Sequence, residues 1–165
     1  MQADYGLKSR RARSAMSAAG VASLRQIPTA SVDLIWSGAV LEHVRLGEFD
    51  AVLAELRRVL KPGGFASHGV DLQDHLGGSL NNLRFSERTW ESEFMASSGF
   101  YTNRIRYSDM LARFERAGFE TASVEAHRWP RLPIGRKALA PPFAALTDEE
   151  LRVYAFDIVS RPRAG

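Results

Sequence analysis

The chain of 165 residues contains no cysteine, so disulfide bridges and thiolate metal sites are excluded from its architecture. No apolar run approaches membrane-spanning length, and the basic amino-terminal stretch Met1–Arg13 is not followed by the apolar segment of a secretory leader. A cytoplasmic location is the resulting expectation. A basic tail is also missing: the net charge is only +3 and arginine is spread along the chain, which disfavours nucleic-acid binding. There is no internal repeat and no low-complexity tract. What is present is ordinary for a globular protein, with 45% hydrophobic and 25% charged residues in a length that suits one domain.

The stretch Ser31–Gly64, SVDLIWSGAVLEHVRLGEFDAVLAELRRVLKPGG, organises the rest. Val32–Trp36 has the length and apolar content of a strand buried on both faces of a sheet, and Ser37-Gly38 is a turn. Phe49, Val52, Leu53, Leu56, Val59 and Leu60 recur at spacings of three and four, predicting a helix from about Gly47 to Leu60. Lys61-Pro62-Gly63-Gly64 reads as a helix stop with a left-handed glycine cap. Phe65–Asp71 is a second strand, so the unit is a right-handed crossover between parallel neighbours.

Around this core, Lys8, Arg10, Arg11 and Arg13 fall on a predicted helix with an alanine stripe, closed by Gly20. Val21–Ile27 is expected as a short strand. Asp74–Phe85 is a long polar loop after a strand end, the edge at which open parallel sheets bind ligands. There Asn81, Asn82 and Arg84 offer donors to a polar acceptor, while His68, Asp71, Asp74 and His75 are readable as acceptor contacts, as metal ligands or as loop hydrogen bonds. Beyond Ser86 a helix to Ser98 is expected, with Trp90, Phe94 and Met95 on one side. A second helix follows Ser108 and closes at Gly118. Phe119–Trp129 and Val153–Ser160 are expected strands, and Thr147 with Glu150 forms a capping box.

SxDLIxSxxVLEHV followed by ELxRVLKPGG resembles the fourth strand, its exit loop, and the next helix and turn of a class I S-adenosylmethionine-dependent methyltransferase of the type 11 family. The resemblance covers about Val21–Pro162. It implies a partial doubly wound, Rossmann-like α/β sheet, the carboxyl-terminal half of the family fold, with an antiparallel final hairpin. The glycine-rich GxGxG loop is missing, so the expectation is one truncated domain spanning 1–165. Its parts are an amino-terminal helix at 1–20, a strand-helix-strand core at 21–71, an acceptor loop at 72–106, and carboxyl-terminal helix and strands at 107–165.

The implied cofactor is S-adenosyl-L-methionine, with Ser23, Trp36, Ser37 and Gly38 as its contacts. His43 is the candidate general base, the alternative being a histidine bonded to a backbone carbonyl beside a helix-capping Glu42. The implied acceptor is a small molecule or a glycan of bacterial sugar chemistry, contacted by His68, Asp71, Asp74, His75, Asn81, Asn82 and Arg84. Without its first strands such a fold leaves Val32–Trp36 as an open edge. The expected partners are therefore a second copy or a complementary chain, and the alternative to an enzyme is a non-catalytic remnant or interaction module docking through that edge.

Overall fold

The computed structural model describes residues 20–164; the helix expected around Lys8–Ala19 lies outside them. Four strands form one sheet: β1 (Val32–Gly38), β2 (Leu60–Asp71), β3 (Phe119–Arg128) and β4 (Val153–Pro162). The spatial order is β1-β2-β4-β3, with β1 parallel to β2 and β4 antiparallel to both of its neighbours. The helices are α1 (Gly20–Leu24), α2 (Phe49–Val59), α3 (Glu87–Trp90), α4 (Glu93–Ala96), α5 (Tyr107–Arg116), α6 (Pro141–Ala144) and α7 (Asp148–Arg152). The expected parallel unit and the antiparallel final hairpin are both present.

The predicted stripe on α2 buries Phe49, Val52, Leu53, Leu56 and Val59, and α5 adds Met110 and Phe114 to the same core. From the sheet, Ala66, Val70, Phe156 and Ile158 point toward these helices. The opposite sheet face is bare at β1: Leu34 is 63% exposed and Trp36 75%, beside an exposed Phe65 that pairs with Leu34. The expectation of a strand buried on both faces is therefore corrected, because helices cover only one side of β1 among the described residues. Within them β1 pairs only with β2, so the open edge is present.

Val21–Ile27 is not a strand. Gly20–Leu24 is α1, and Arg25, Gln26 and Ile27 continue in turns bonded to the carbonyls of Val21, Ser23 and Leu24. Val21 and Leu24, three apart, pack on the core as helical neighbours, and so short an apolar window carries both readings. The glycine cap also fails. After Val59 the chain passes directly into extended Leu60, and Lys61–Gly64 belong to β2. Only Gly78 and Gly118 among the described glycines have positive φ. Gly64 is required for a different reason: a Cβ there would lie 2.9 Å from the carbonyl oxygen of Asp33, where the β1–β2 register slips.

Ser86 caps α3 as expected, but the predicted helix to Ser98 breaks at Ser92, whose hydroxyl caps α4, and Phe94 is exposed rather than packed. A second, smaller core of Leu80, Leu83, Leu139 and Leu151 fastens the loop after β2 to α6 and α7.

Gly64→Ala is expected to cost about 1–3 kcal/mol in urea unfolding, since backbone rather than a flexible side chain must give way. Gly63→Ala, with open space around it, should stay within about 0.5 kcal/mol of the parent.

Candidate active site

Parallel strands end together, so Gly38 of β1 and Asp71 of β2 release their loops at the same sheet edge. Ala39 turns the chain there with φ +52, a left-handed conformation uncommon outside glycine, and its N–H donates to the Gly69 carbonyl at 2.9 Å. The turn delivers a short helical turn, Leu41–His43. Asn103 clamps that turn: its side-chain amide donates to the carbonyls of Leu41 at 2.8 Å and Val44 at 3.0 Å, and its backbone N–H donates to Glu42 at 2.7 Å.

His43 is exposed, and its Nδ1 lies 3.0 Å from the Tyr101 carbonyl. A carbonyl only accepts, so Nδ1 is the donor to it, and Nε2 is the ring nitrogen left without a partner among the described residues. The His75 ring stands 4.9 Å away, centre to centre. Beneath them Glu42 is 1% exposed and makes no helix cap; neither carboxylate oxygen has a partner among the described residues. Burial, reinforced by repulsion from Asp71, pushes this carboxyl up to about 7. It borders a small cavity of about 10 Å³, roughly the room one water needs, together with Asn82, Asn103, Arg104 and Arg106.

The expected cofactor contacts divide. Trp36 and Gly38 lie open at the end of β1, the indole edge 3.5 Å from where a Cβ on Gly38 would stand. Ser37 turns inward, its hydroxyl 2.7 Å from Nδ1 of His68. Ser23 is a correction: it lies on α1, whose Leu24 carbonyl is held by Arg58 at the carboxyl end of α2, the end remote from this edge. Of the four, Trp36 and Gly38 are available to a ligand, and they form an exposed wall rather than an enclosure.

The acceptor set divides as well. His68 is a core residue, against the Phe114 ring at 5.7 Å, and burial lowers it to about 4, so it is neutral at pH 7. Asp74 is buried and spent inside its loop, accepting from the N–H groups of Leu76 and Asn81. Asn82 is buried and donates to the Thr102 hydroxyl at 2.9 Å. Asp71 accepts from the N–H of Gln73, His75 and Arg84 are exposed, and Asn81 is half-buried. The grouping of His68, Asp71, Asp74 and His75 is not brought together as a metal site; no three such ligands converge among the described residues.

Two residues were missed by sequence reasoning. Arg104 and Arg106 are buried in an irregular segment, Tyr101–Arg106, that runs beneath this edge. The available signal was the alternation of two arginines around Ile105 immediately before a helix, which a polar-loop reading absorbs.

Glu42 is protonated more readily folded than unfolded, so it favours the native state below its ordinary value of 4.5 and that advantage is lost as pH rises through about 7. Glu42→Gln is therefore expected to match the parent near pH 4.5 and to exceed its stability at pH 8 by on the order of 3 kcal/mol, read by denaturant midpoints across pH.

A family model described as a methyltransferase domain matches residues 4–67. No curated protein matches the chain. Among solved structures, a Pyrococcus horikoshii OT3 protein is 16% identical, with 83% of this chain and 54% of that one covered and a TM-score of 0.50. An S-adenosylmethionine-dependent methyltransferase from Mesorhizobium loti is 17% identical, over 82% of this chain and 63% of that one, with a TM-score of 0.49. A Burkholderia thailandensis 1,6-didemethyltoxoflavin-N1-methyltransferase, solved with 1,6-didemethyltoxoflavin and S-adenosylhomocysteine, is 14% identical over 82% and 46%, with a TM-score of 0.46. The chain spans roughly half to three-fifths of the length of such structures. By its matched segment the chain is similar to a methyltransferase domain over residues 4–67, and its sheet is of the Rossmann-like α/β kind.

Proposed function

We propose that the chain contributes the acceptor-side wall of an S-adenosylmethionine-dependent methyl-transfer site, with a small molecule or glycan as acceptor. The observation that carries this reading is His43: exposed at the carboxyl edge of the parallel strands, with Nδ1 committed to the Tyr101 carbonyl and Nε2 left without a partner among the described residues. S-adenosylmethionine, when bound, supplies a methyl group activated on a sulfonium. Trp36 and Gly38 would hold it, the indole offering an aromatic face and the glycine an unscreened backbone. His43 takes the proton of an acceptor hydroxyl or amine at Nε2. The Tyr101 carbonyl and the Asn103 clamp keep the ring in that orientation. His75 and Arg84, exposed on the loop after β2, are the nearest candidates for acceptor contact.

Calorimetric titration with S-adenosylhomocysteine tests the donor wall. Binding to one wall should be weak, in the millimolar range, and should disappear in Trp36→Ala. Micromolar affinity indifferent to that substitution would put the donor somewhere else and end this arrangement.

A second reading is favoured by the open edge and by exposed Leu34, Trp36 and Phe65 beside it: an interaction module that pairs through β1 with a complementary polypeptide or a second copy. The facing wall of a donor pocket would then come from the paired segment. Light scattering after size exclusion should detect association that Leu34→Lys abolishes. A cooperative, strictly monomeric protein that remains unpaired with any added strand peptide would count against it.

A further inference from the structure

A cleft of about 560 Å³ opens between the start of α5 and the α6–α7 segment. Its polar lining includes Arg104, Asp109 and Glu150, and its apolar lining Phe143 and Leu146. Arg104 is only 8% exposed and holds φ +59, an uncommon backbone for a non-glycine residue, beside an Asn103 side chain that accepts from the N–H of Ile105. The guanidinium is gripped on both faces, with the Trp90 ring 5.4 Å and the Phe143 ring 5.2 Å from its central carbon.

One edge of that guanidinium is fully used. Nη1 donates to the carbonyls of Phe85 at 2.7 Å and Asn82 at 3.3 Å. The other edge is not. Nε is sealed and has no partner among the described residues, and Nη2 makes no hydrogen bond with them. No carboxylate pairs with Arg104 there. The acids that line the cleft are engaged elsewhere: Glu150 accepts from the N–H and hydroxyl of Ser108, and Asp109 is bonded to Arg113 at 3.1 Å. Arg106, the other cation of the cleft wall, has Nη1 and Nη2 bonded to carbonyls. A buried arginine whose Nη1 is anchored and whose Nη2 lacks a partner among the described residues offers one charge-assisted donor to a carboxylate oxygen.

We propose that this cleft is a carboxylate site: a small organic acid places one carboxylate oxygen on Nη2 of Arg104 and its apolar body against Phe143 and Leu146. The assignment stands apart from methyl transfer, and its test uses no methyl donor, so the two readings fail separately. The neighbouring aromatic and aliphatic side chains favour an acid with an apolar body over a bare inorganic anion.

The test is an amide-resolved NMR titration of the full chain with benzoate, with benzamide as its neutral counterpart and inorganic phosphate as the competing anion. Benzoate is expected to shift Ser108, Ala145 and Leu146 to saturation, and benzamide to bind about tenfold more weakly. Ala145→Glu, at an exposed position on the cleft wall, should weaken benzoate at least about tenfold while leaving the melting temperature unchanged. Arg104→Lys, which keeps the charge and loses the Nη1 anchor that positions Nη2, should weaken it similarly; should that variant fail to fold, Ala145→Glu decides alone. Equal binding of benzoate and benzamide, insensitivity to Ala145→Glu, tighter binding of phosphate, or no saturable shift would each overturn the proposal.

Discussion

Arg106 ties the described structure together. Its guanidinium, buried just before α5, donates to the carbonyls of Leu72 at 2.9 Å, Leu151 at 3.2 Å and Val153. One side chain thereby joins the exit of β2, the end of α7, the start of β4 and the entry of α5. Burial lowers it to about 10, which still leaves it charged at neutral pH. A buried cation without a paired carboxylate is costly unless dipoles replace its water, and here strand-end carbonyls do so. Those carbonyls lie where regular pairing stops and would otherwise lack donors.

The segment before Arg106 runs beneath the sheet edge, and its contacts set the geometry there. Tyr101 holds His43 through its carbonyl, while its hydroxyl receives the Leu46 N–H at 3.1 Å and donates to Glu91 at 2.9 Å. Burial and that acid push the Tyr101 phenol up to about 12, so it remains a neutral donor. Asn103 sets the turn that carries Glu42 and His43, and Arg104 lines both the small cavity and the open cleft. The edge is therefore densely hydrogen-bonded on the side of Tyr101–Arg106. Among the described residues it is bare toward β1, and the contrast between a crowded flank and an exposed indole underlies both functional readings.

Much of the fold was legible because it rests on local periodicity. The α2 stripe, the alternation of Phe156 and Ile158, the Ser86 cap and the left-handed Gly118 all follow from patterns within a few residues. The Thr147 cap is also as expected, its hydroxyl accepting from the Glu150 N–H, but the Glu150 side chain reaches Ser108 instead of closing the box. Where readings failed, a neighbour distant in sequence had decided. Gly64 is small because Asp33 approaches, and Gly20–Leu24 is helical because α2 offers it a surface.

The chain's own residues determined a parallel strand-helix-strand unit, a final antiparallel pair, and a polar loop at the carboxyl edge of the parallel strands. These depend on spacing, and spacing is written in the sequence. Tertiary structure alone decided which polar groups of that edge remain available. His68 and Asp74 carry the same chemistry as His43 and Asp71 on the page, yet one packs on Phe114 and the other is consumed in its own loop. Availability depends on burial and on partners contributed from tens of residues away, and neither quantity is encoded in any local window.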